Sequence, residues 1–448
     1  MQAAFASSSR TSIVKVAFAS FIGTAVEWYD FFLYGTAAAL VFNKLFFPEF
    51  DPLVGTLLSY GTFAAGFLAR PIGGVVFGHY GDRIGRKTML SLTLLIMGIA
   101  TFGVGLLPGY AQVGVAAPVL LLLLRLAQGF GLGGEWGGAV LMAVEHAPEQ
   151  RRGFYGSWPQ MGAPAGLLVS TIVFSIFSSL PEAQFLSWGW RVPFLLSFVL
   201  ILVGLWVRLT IEESPSFQRV KDSHAEVKVP VLDAIRLYPK QILLAMGARF
   251  AENGLFYIFT NFVYIYATSV AKVDRQTVLV GVMLATCVHL IAVPSFGALS
   301  DRIGRRPVYL GGAAFAGLVG LPFFVLIDSK QLVLIALAIT LGIVGHAAMY
   351  GPQASFFSEL FGTKVRYSAT SLGYQLASVV AGGLSPVIAT ALLAGSGGSA
   401  LPISAYMVGL ALITLVSVYL AAETFQGTID AEPARIAAPI DEPLVQPA

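Results

Sequence analysis

Twelve apolar runs, parted by short polar turns, are the feature that most constrains what this chain can become. They lie at about 14–42, 53–77, 88–107, 113–144, 154–179, 189–210, 241–268, 276–299, 308–328, 332–357, 368–394 and 401–422. A helix needs ~20 residues to cross a ~30 Å hydrocarbon core, and each run is about that long. Lipid cannot hydrogen-bond a backbone, so runs of this length predict an all-α membrane protein of twelve transmembrane helices. Composition agrees. The chain is 56% hydrophobic and 11% charged, whereas soluble domains carry about 25% charged residues. A soluble enzyme is excluded, and little chain is left over for an extramembrane domain.

The polar stretches divide the chain into an N-terminus, 1–13, a six-helix half, 14–210, a linker, 211–240, a second six-helix half, 241–422, and a tail, 423–448. The tail holds Pro433, Pro439, Pro443 and Pro447 and no heptads, which predicts disorder rather than a coiled coil. Lys and Arg crowd the loops on the side of both termini, while the other side holds Lys44, Lys272, Arg275 and Lys330. Both termini are therefore expected in the cytoplasm. The single cysteine, Cys287, rules out an intramolecular disulfide, and its apolar neighbours point to packing.

Repeats define the architecture. The string Gly78-His79-Tyr80-Gly81-Asp82-Arg83-Ile84-Gly85-Arg86-Lys87 follows the second run, and Gly297-Ala298-Leu299-Ser300-Asp301-Arg302-Ile303-Gly304-Arg305-Arg306 follows the eighth. Glu145 precedes Arg152 after the fourth run as Glu359 precedes Arg366 after the tenth, and Glu213-Ser214 matches Glu423-Thr424. Short cytoplasmic turns need positive charge and glycine anyway, but that does not account for the repetition. Two homologous halves in parallel orientation do. An aspartate at such a loop can cap a helix N-terminus of the other half and pair with the basic turn. Asp82 with Arg152, and Asp301 with Arg366, are the candidate latches. Arg83, Arg86, Glu145, Arg302, Arg305 and Glu359 complete the gating set.

Besides Lys15, Arg208 and Asp328 at the run ends, eight charges fall within the runs: Glu27, Asp30, Arg70, Arg125, Glu135, Arg191, Arg249 and Glu252. Each costs a few kcal/mol or more at mid-bilayer unless paired or wet, so each is a functional candidate. Glu27 and Asp30 lie near the midplane of the first run on one face with Ser20, Thr24 and Tyr34, and Trp28 crowds the same region. Either acid is a structural partner of a cation such as Arg125 or the group that takes up a proton. Arg125 is also near mid-depth, with Gln128 and Glu135 on its side of the helix. Its planar fork suits a carboxylate, so it either binds a substrate anion or sits in a permanent pair with Glu27, Asp30 or Glu135. Arg249 and Glu252, three apart, read as a structural or gating pair, with Glu252 a further proton candidate. Arg70 and Arg191 are placed near the two surfaces and read as interfacial or gating residues. Asn253, Tyr257 and Asn261 in the seventh run, Gln160 in the fifth, Tyr350 and Gln353 in the tenth, and Tyr374 in the eleventh complete a polar cavity, although packing serves each of them equally well. His289 and His346 read as satisfied hydrogen-bonders more readily than as a proton relay. Nothing has metal-ligand spacing, and no phosphate-cradling loop is present, so no cofactor and no ATP-driven step are expected.

The loop string resembles the signature of the major facilitator superfamily, Gly-x3-Asp-Arg-x-Gly-Arg-Arg/Lys. Within it, Gly23 to Phe31, Arg70-Pro71-Ile72-Gly73-Gly74, Arg125-Leu126-Ala127-Gln128-Gly129, Gly133 to Gly138 and Trp188 to Phe194 resemble the metabolite:proton symporter family, whose members carry shikimate, 2-oxoglutarate, citrate or proline/betaine. Phe77-Gly78-His79 and Gln184 to Arg191 are most similar to shikimate-type members. The resemblance implies a multi-pass cell-membrane carrier working by alternating access, with protons and a small organic acid as its partners. It would be a monomer without a nucleic-acid partner. A proline/betaine carrier is the alternative, since the aromatic-rich first run suits a quaternary ammonium. A membrane enzyme would need a nucleophile or metal cluster, and a channel would more naturally be a smaller repeated unit.

Overall fold

A computed structural model describes residues 13–84, 86–209, 230–361 and 366–425. All twelve apolar runs are helical: α1 (Ile13–Leu40), α2 (Pro52–Ile84), α3 (Arg86–Leu106), α4 (Ala116–His146), α5 (Arg152–Ser178), α6 (Glu182–Trp206), α7 (Pro239–Val270), α8 (Arg275–Ile303), α9 (Arg305–Val319, resuming as Phe323–Asp328), α10 (Leu332–Glu359), α11 (Ser368–Gly395) and α12 (Leu401–Leu420). Ten of these are long and apolar enough to cross a membrane. The remaining two are α1 and the broken α9. Large apolar side chains such as Trp206, Ile291, Val333 and Leu401 stand outward, where lipid is as good a solvent as a core. Cys287 stands outward too. It is not packed inside as its neighbours suggested.

Two boundaries differ from the sequence reading. α2 runs on to Ile84, so the repeated basic loop begins as helix and Arg70 sits well inside the span. A short helix, Pro230–Leu237, occupies the end of the expected linker, while 211–229 and the tail beyond 425 lie outside the described residues.

Helices of the first half pack where glycines let backbones touch. A Cβ added at Gly129 of α4 would lie 1.8 Å from the Gly66 carbonyl oxygen of α2, and one at Gly133 would lie 2.1 Å from the Arg70 carbonyl oxygen. Gly66 also makes room for a functional group, since a Cβ there would meet Arg125 Nε at 2.6 Å. Gly129→Val is therefore expected to push α2 from α4 and destabilise the fold by about 3 kcal/mol or more. A detergent melting curve unchanged from wild type would refute this packing.

The halves meet chiefly through α5 with α8, α5 with α10 and α2 with α11. α5 and α8 approach at Gly153 and Gly297, where an added Cβ on either would come within 2.6 Å of the other's carbonyl oxygen. Three spans are irregular beside this seam. α7 carries π turns at Ile258–Phe262 and Tyr266–Val270, α11 one at Ser378–Gly383, and α4 breaks at Gly134 and Glu135. Such irregularities recur at functional sites.

Candidate substrate and gating sites

Arg125 lies fully buried near the middle of α4. Its guanidinium rests against the rings of Phe31 (4.3 Å), Tyr34 (4.4 Å) and Phe63 (4.6 Å). Nη1 donates to Gln128 Oε1 at 3.1 Å, and Gln128 Nε2 donates to the Thr101 hydroxyl at 2.7 Å. Asp30 of α1 lies beside Thr101, whose hydroxyl donates to the Met97 carbonyl at 3.0 Å, and Asp30 Oδ1 has no hydrogen-bond partner. Arginine and aspartate are thus separated by two neutral side chains and make no ion pair. Among the described residues no carboxylate lies within ion-pair distance of Arg125, and its Nη2 has no hydrogen-bond partner. The permanent pair with Glu27, Asp30 or Glu135 is not formed.

Arg70 corrects the sequence reading. It is 1% exposed, and its guanidinium lies over Phe67 at 3.9 Å and Phe31 at 4.4 Å. Nε and Nη2 have no hydrogen-bond partner and, among the described residues, no carboxylate pairs with it. Two buried guanidiniums therefore both lie against the Phe31 ring. Beside them a narrow interior cavity is lined by Glu27, Trp28, Glu135, Trp136, Gln160 and Tyr374, together with Arg70.

The second half solves its buried charge differently. Arg249 Nη1 pairs with Glu252 Oε2 at 3.0 Å, donates to Gln353 at 3.0 Å, and through Nη2 donates to Ser378 at 3.1 Å. Gln353 Nε2 donates to Glu252 (3.0 Å) and to the Tyr309 hydroxyl (2.9 Å). The other Glu252 oxygen meets His346 Nε2 at 3.3 Å, and His346 Nδ1 meets His289 Nε2 at 2.9 Å. The two histidines are joined to each other and to an acid. Asn253 donates to Ser378, and the buried Tyr350 hydroxyl has no partner.

Aromatic groups close the seam between these clusters. Tyr374 lies under Arg249 at 3.3 Å and stacks on Trp136 of the first half with centroids 3.7 Å apart. Trp136 Nε1 donates to Gln160, which donates to the Tyr350 carbonyl. Tyr257 packs edge-on against Phe63 and Phe67, and Trp28 stacks on Phe32. The Tyr34 hydroxyl bonds Thr62, and Tyr60 donates to the Asn261 carbonyl across the seam at 3.2 Å. Trp136, Ser378, Phe31, Phe63 and Phe67 were absent from the sequence-based site, and Arg70 was read there as interfacial or gating. The tryptophan and arginine stood in the family-like strings and could have been taken from there.

The two ends of the seam differ. At the end bearing the repeated loops, Asp301 accepts the Gly153 and Phe154 amides of α5 at 2.8 and 2.9 Å, so it caps a helix of the other half. It also pairs with Arg305 at 2.6 Å, and Arg305 pairs with Glu359 at 3.1 Å. Arg366 faces Glu145 at 3.9 Å rather than Asp301, because α8 ends over the start of α5 and not over α11. Arg152 pairs with Glu149, and Arg302 is exposed. The side chains of Asp82, Arg83 and Arg86 lie outside the described residues. Glu423 accepts the Arg305 and Arg306 amides at 3.0 Å. At the opposite end a vestibule of about 830 Å³ opens between the halves, edged by Asn43, Lys44, Asp51, Glu182, Asp274 and Arg275. Lys44 pairs with Glu182 there at 2.6 Å. Arg191, near this end, donates to the Gly105 and Leu107 carbonyls.

A twelve-helix bundle of two repeated halves, with buried charge at the seam and one end latched, defines a membrane transport protein and not an enzyme. Comparison with known proteins agrees: residues 16–386 match the Major Facilitator Superfamily, and the chain belongs to it. It is 43% identical to the shikimate transporter of Escherichia coli K12 over 91% of this chain and 94% of that one. It is 42% identical to the inner membrane metabolite transport protein YhjE of the same strain, over 92% and 94%. The proline/betaine transporter of that strain is 34% identical, over 90% and 82%. Among solved structures, a D-xylose-proton symporter shares the fold with a TM-score of 0.70 at 18% identity, over 93% of this chain and 99% of that one. The protein is a multi-pass transporter of the cell inner membrane.

Proposed function

We propose that the chain is a proton-coupled symporter for a small organic acid such as shikimate, taken up by alternating access. One observation carries the anion: Arg70 and Arg125 are both buried against Phe31 with donors unused, and among the described residues no carboxylate is paired to either. An uncompensated buried charge costs several kcal/mol, and a bound carboxylate supplies the missing partner through charge-assisted hydrogen bonds. The hydroxyls of a shikimate-like ring find Gln160, Asn253, Tyr350 and Tyr374 at the seam. Similarity to a shikimate transporter along nearly the whole chain supports this substrate class.

The proton is carried by the buried acids. Asp30 is buried beside Thr101, which Gln128 joins to Arg125, so a substrate that engages the arginine also changes the field at the acid. Glu27 and Glu135 line the same cavity, and Glu252 is the acid of the second half. A betaine carrier is the second reading, favoured by the aromatic wall. That wall is already faced by two guanidiniums, which repel a quaternary ammonium. The basic loops support an outward-facing vestibule and a latched end in the cytoplasm. There the Asp301, Arg305 and Glu359 cluster, with Glu145 and Arg366, forms the inner gate.

The test is transport into proteoliposomes under an imposed inside-alkaline gradient. Labelled shikimate or a related acid is expected to accumulate above its equilibrium level and to leak back when the gradient is collapsed. Equilibration without accumulation removes proton coupling, and accumulation of glycine betaine instead would establish the second reading.

A further inference from the structure

The second half contains a hydrogen-bonded chain that binding of an anion at Arg125 does not need. It runs Glu252 Oε1, His346 Nε2, His346 Nδ1, His289 Nε2, across helices α7, α10 and α8, with links of 3.3 and 2.9 Å. All three side chains are at most 3% exposed. The terminal nitrogen, His289 Nδ1, is buried without a partner. Burying two imidazoles in contact is costly, and packing alone would be served by apolar residues of similar size.

We propose that His289 and His346 form a proton wire that charges and discharges Glu252, and so makes and breaks its pair with Arg249. The proposal rests on the symport reading above. Its proton count closes. With Glu252 ionised, His346 carries its hydrogen on Nε2 and donates to the carboxylate, and His289 carries its hydrogen on Nε2 and donates to His346 Nδ1. A proton arriving from water at His289 Nδ1 sends the Nε2 hydrogen of His289 to His346 Nδ1. The Nε2 hydrogen of His346 then moves to Glu252. Both rings finish neutral with exchanged tautomers, and the chain has gained one proton as a carboxylic acid. Histidine suits such a shuttle because each ring accepts at one nitrogen while releasing from the other.

The groups facing this wire show what the proton changes. Arg249 faces Glu252 from the same helix, Tyr309 from α9 through Gln353, and Tyr350 stacks on His346 from α10. Tyr374 of α11 lies on Arg249, and Tyr257 and the first-half Arg70 are close to these charges. Neutralising Glu252 removes the only carboxylate paired with Arg249 among the described residues. The guanidinium stacks on Tyr374, which stacks on Trp136 of the other half. A proton on the wire therefore alters a contact between the halves.

The experiment uses reconstituted full-length protein carrying His289→Gln or His346→Gln. Wild type is assayed first with labelled shikimate, and if it fails to accumulate any organic acid, the function reading falls and the wire with it. If wild type accumulates, both variants are expected to keep counterflow exchange while gradient-driven accumulation drops roughly tenfold or more. Undiminished accumulation in either variant overturns the wire, and so does loss of exchange together with accumulation in protein that still melts cooperatively. For a variant that does not fold, solid-state NMR of native protein with ¹⁵N-labelled histidine decides. A nitrogen–nitrogen coupling between two imidazoles, with tautomers that exchange between about pH 8 and about pH 5, is expected. Rings that keep one tautomer throughout overturn the proposal.

Discussion

Replacing Arg125 by leucine abolishes organic-acid binding and leaves the melting temperature of the ligand-free protein nearly unchanged. The second half of that result is the more telling. An arginine held in a buried ion pair costs 3–5 kcal/mol or so when truncated, because the partner charge is stranded. Arg125 has no such partner. Its removal forfeits a charge-assisted hydrogen bond to Gln128, about 1.5–3 kcal/mol, a long one of 3.5 Å to the Phe63 carbonyl, and cation–π contacts of about 0.5–2 kcal/mol each. Against this, several kcal/mol of uncompensated desolvation vanish, and the terms nearly cancel. Affinity does not cancel, since losing one side of a buried charge pair costs about 2–5 kcal/mol, roughly 30-fold to several thousandfold in Kd. Calorimetric titration with shikimate and a ligand-free melting curve check the two halves. A large fall in melting temperature with intact binding would make Arg125 a structural residue and remove the proposed site.

How much of this was legible in advance depends on what kind of pattern carried it. Twelve spans and two halves are local facts, written as apolar runs and recurring loops, and they survive in the structure. Depth within a span is less local. Arg70 looked superficial because the apolar run fades near residue 77, yet α2 continues to Ile84 and carries the arginine inward. Cys287 looked interior because its neighbours are apolar, but lipid-facing and core-facing positions share that composition. The histidines were the hardest case. His289 and His346 sit on different helices, and nothing in either neighbourhood encodes that α8 and α10 bring a nitrogen of each ring within 2.9 Å of the other. The charges inside the spans were visible one by one, whereas their pairing was not. Arg249 and Glu252, on adjacent turns of one helix, were the exception that spacing could predict.

The latch shows the same limit and yields the other large effect. Sequence repetition picked out Asp301 as a residue with work at the loop end and suggested Arg366 as its partner. In the structure its two oxygens cap the amides of Gly153 and Phe154, and Arg305 braces it from behind. This is a charged cap on the positive end of a helix dipole that belongs to the other half. Asp301→Asn keeps the size but turns an amide group toward a backbone donor and removes the charge. One cap bond and part of the Arg305 pairing are lost, which together cost about 1–3 kcal/mol. That cost falls only on the state in which α5 and α8 meet, so the balance between loop-closed and loop-open forms shifts by roughly 5- to 150-fold. Nitroxides at the exposed positions Gln150 and Ile303, in protein with Cys287 replaced by serine, report that distance by double electron–electron resonance. The long-distance population is expected to dominate in Asp301→Asn while the melting temperature moves little. A distance distribution matching wild type would mean that the cap does not hold the gate, and that the close approach of Gly153 and Gly297 seals this end by itself.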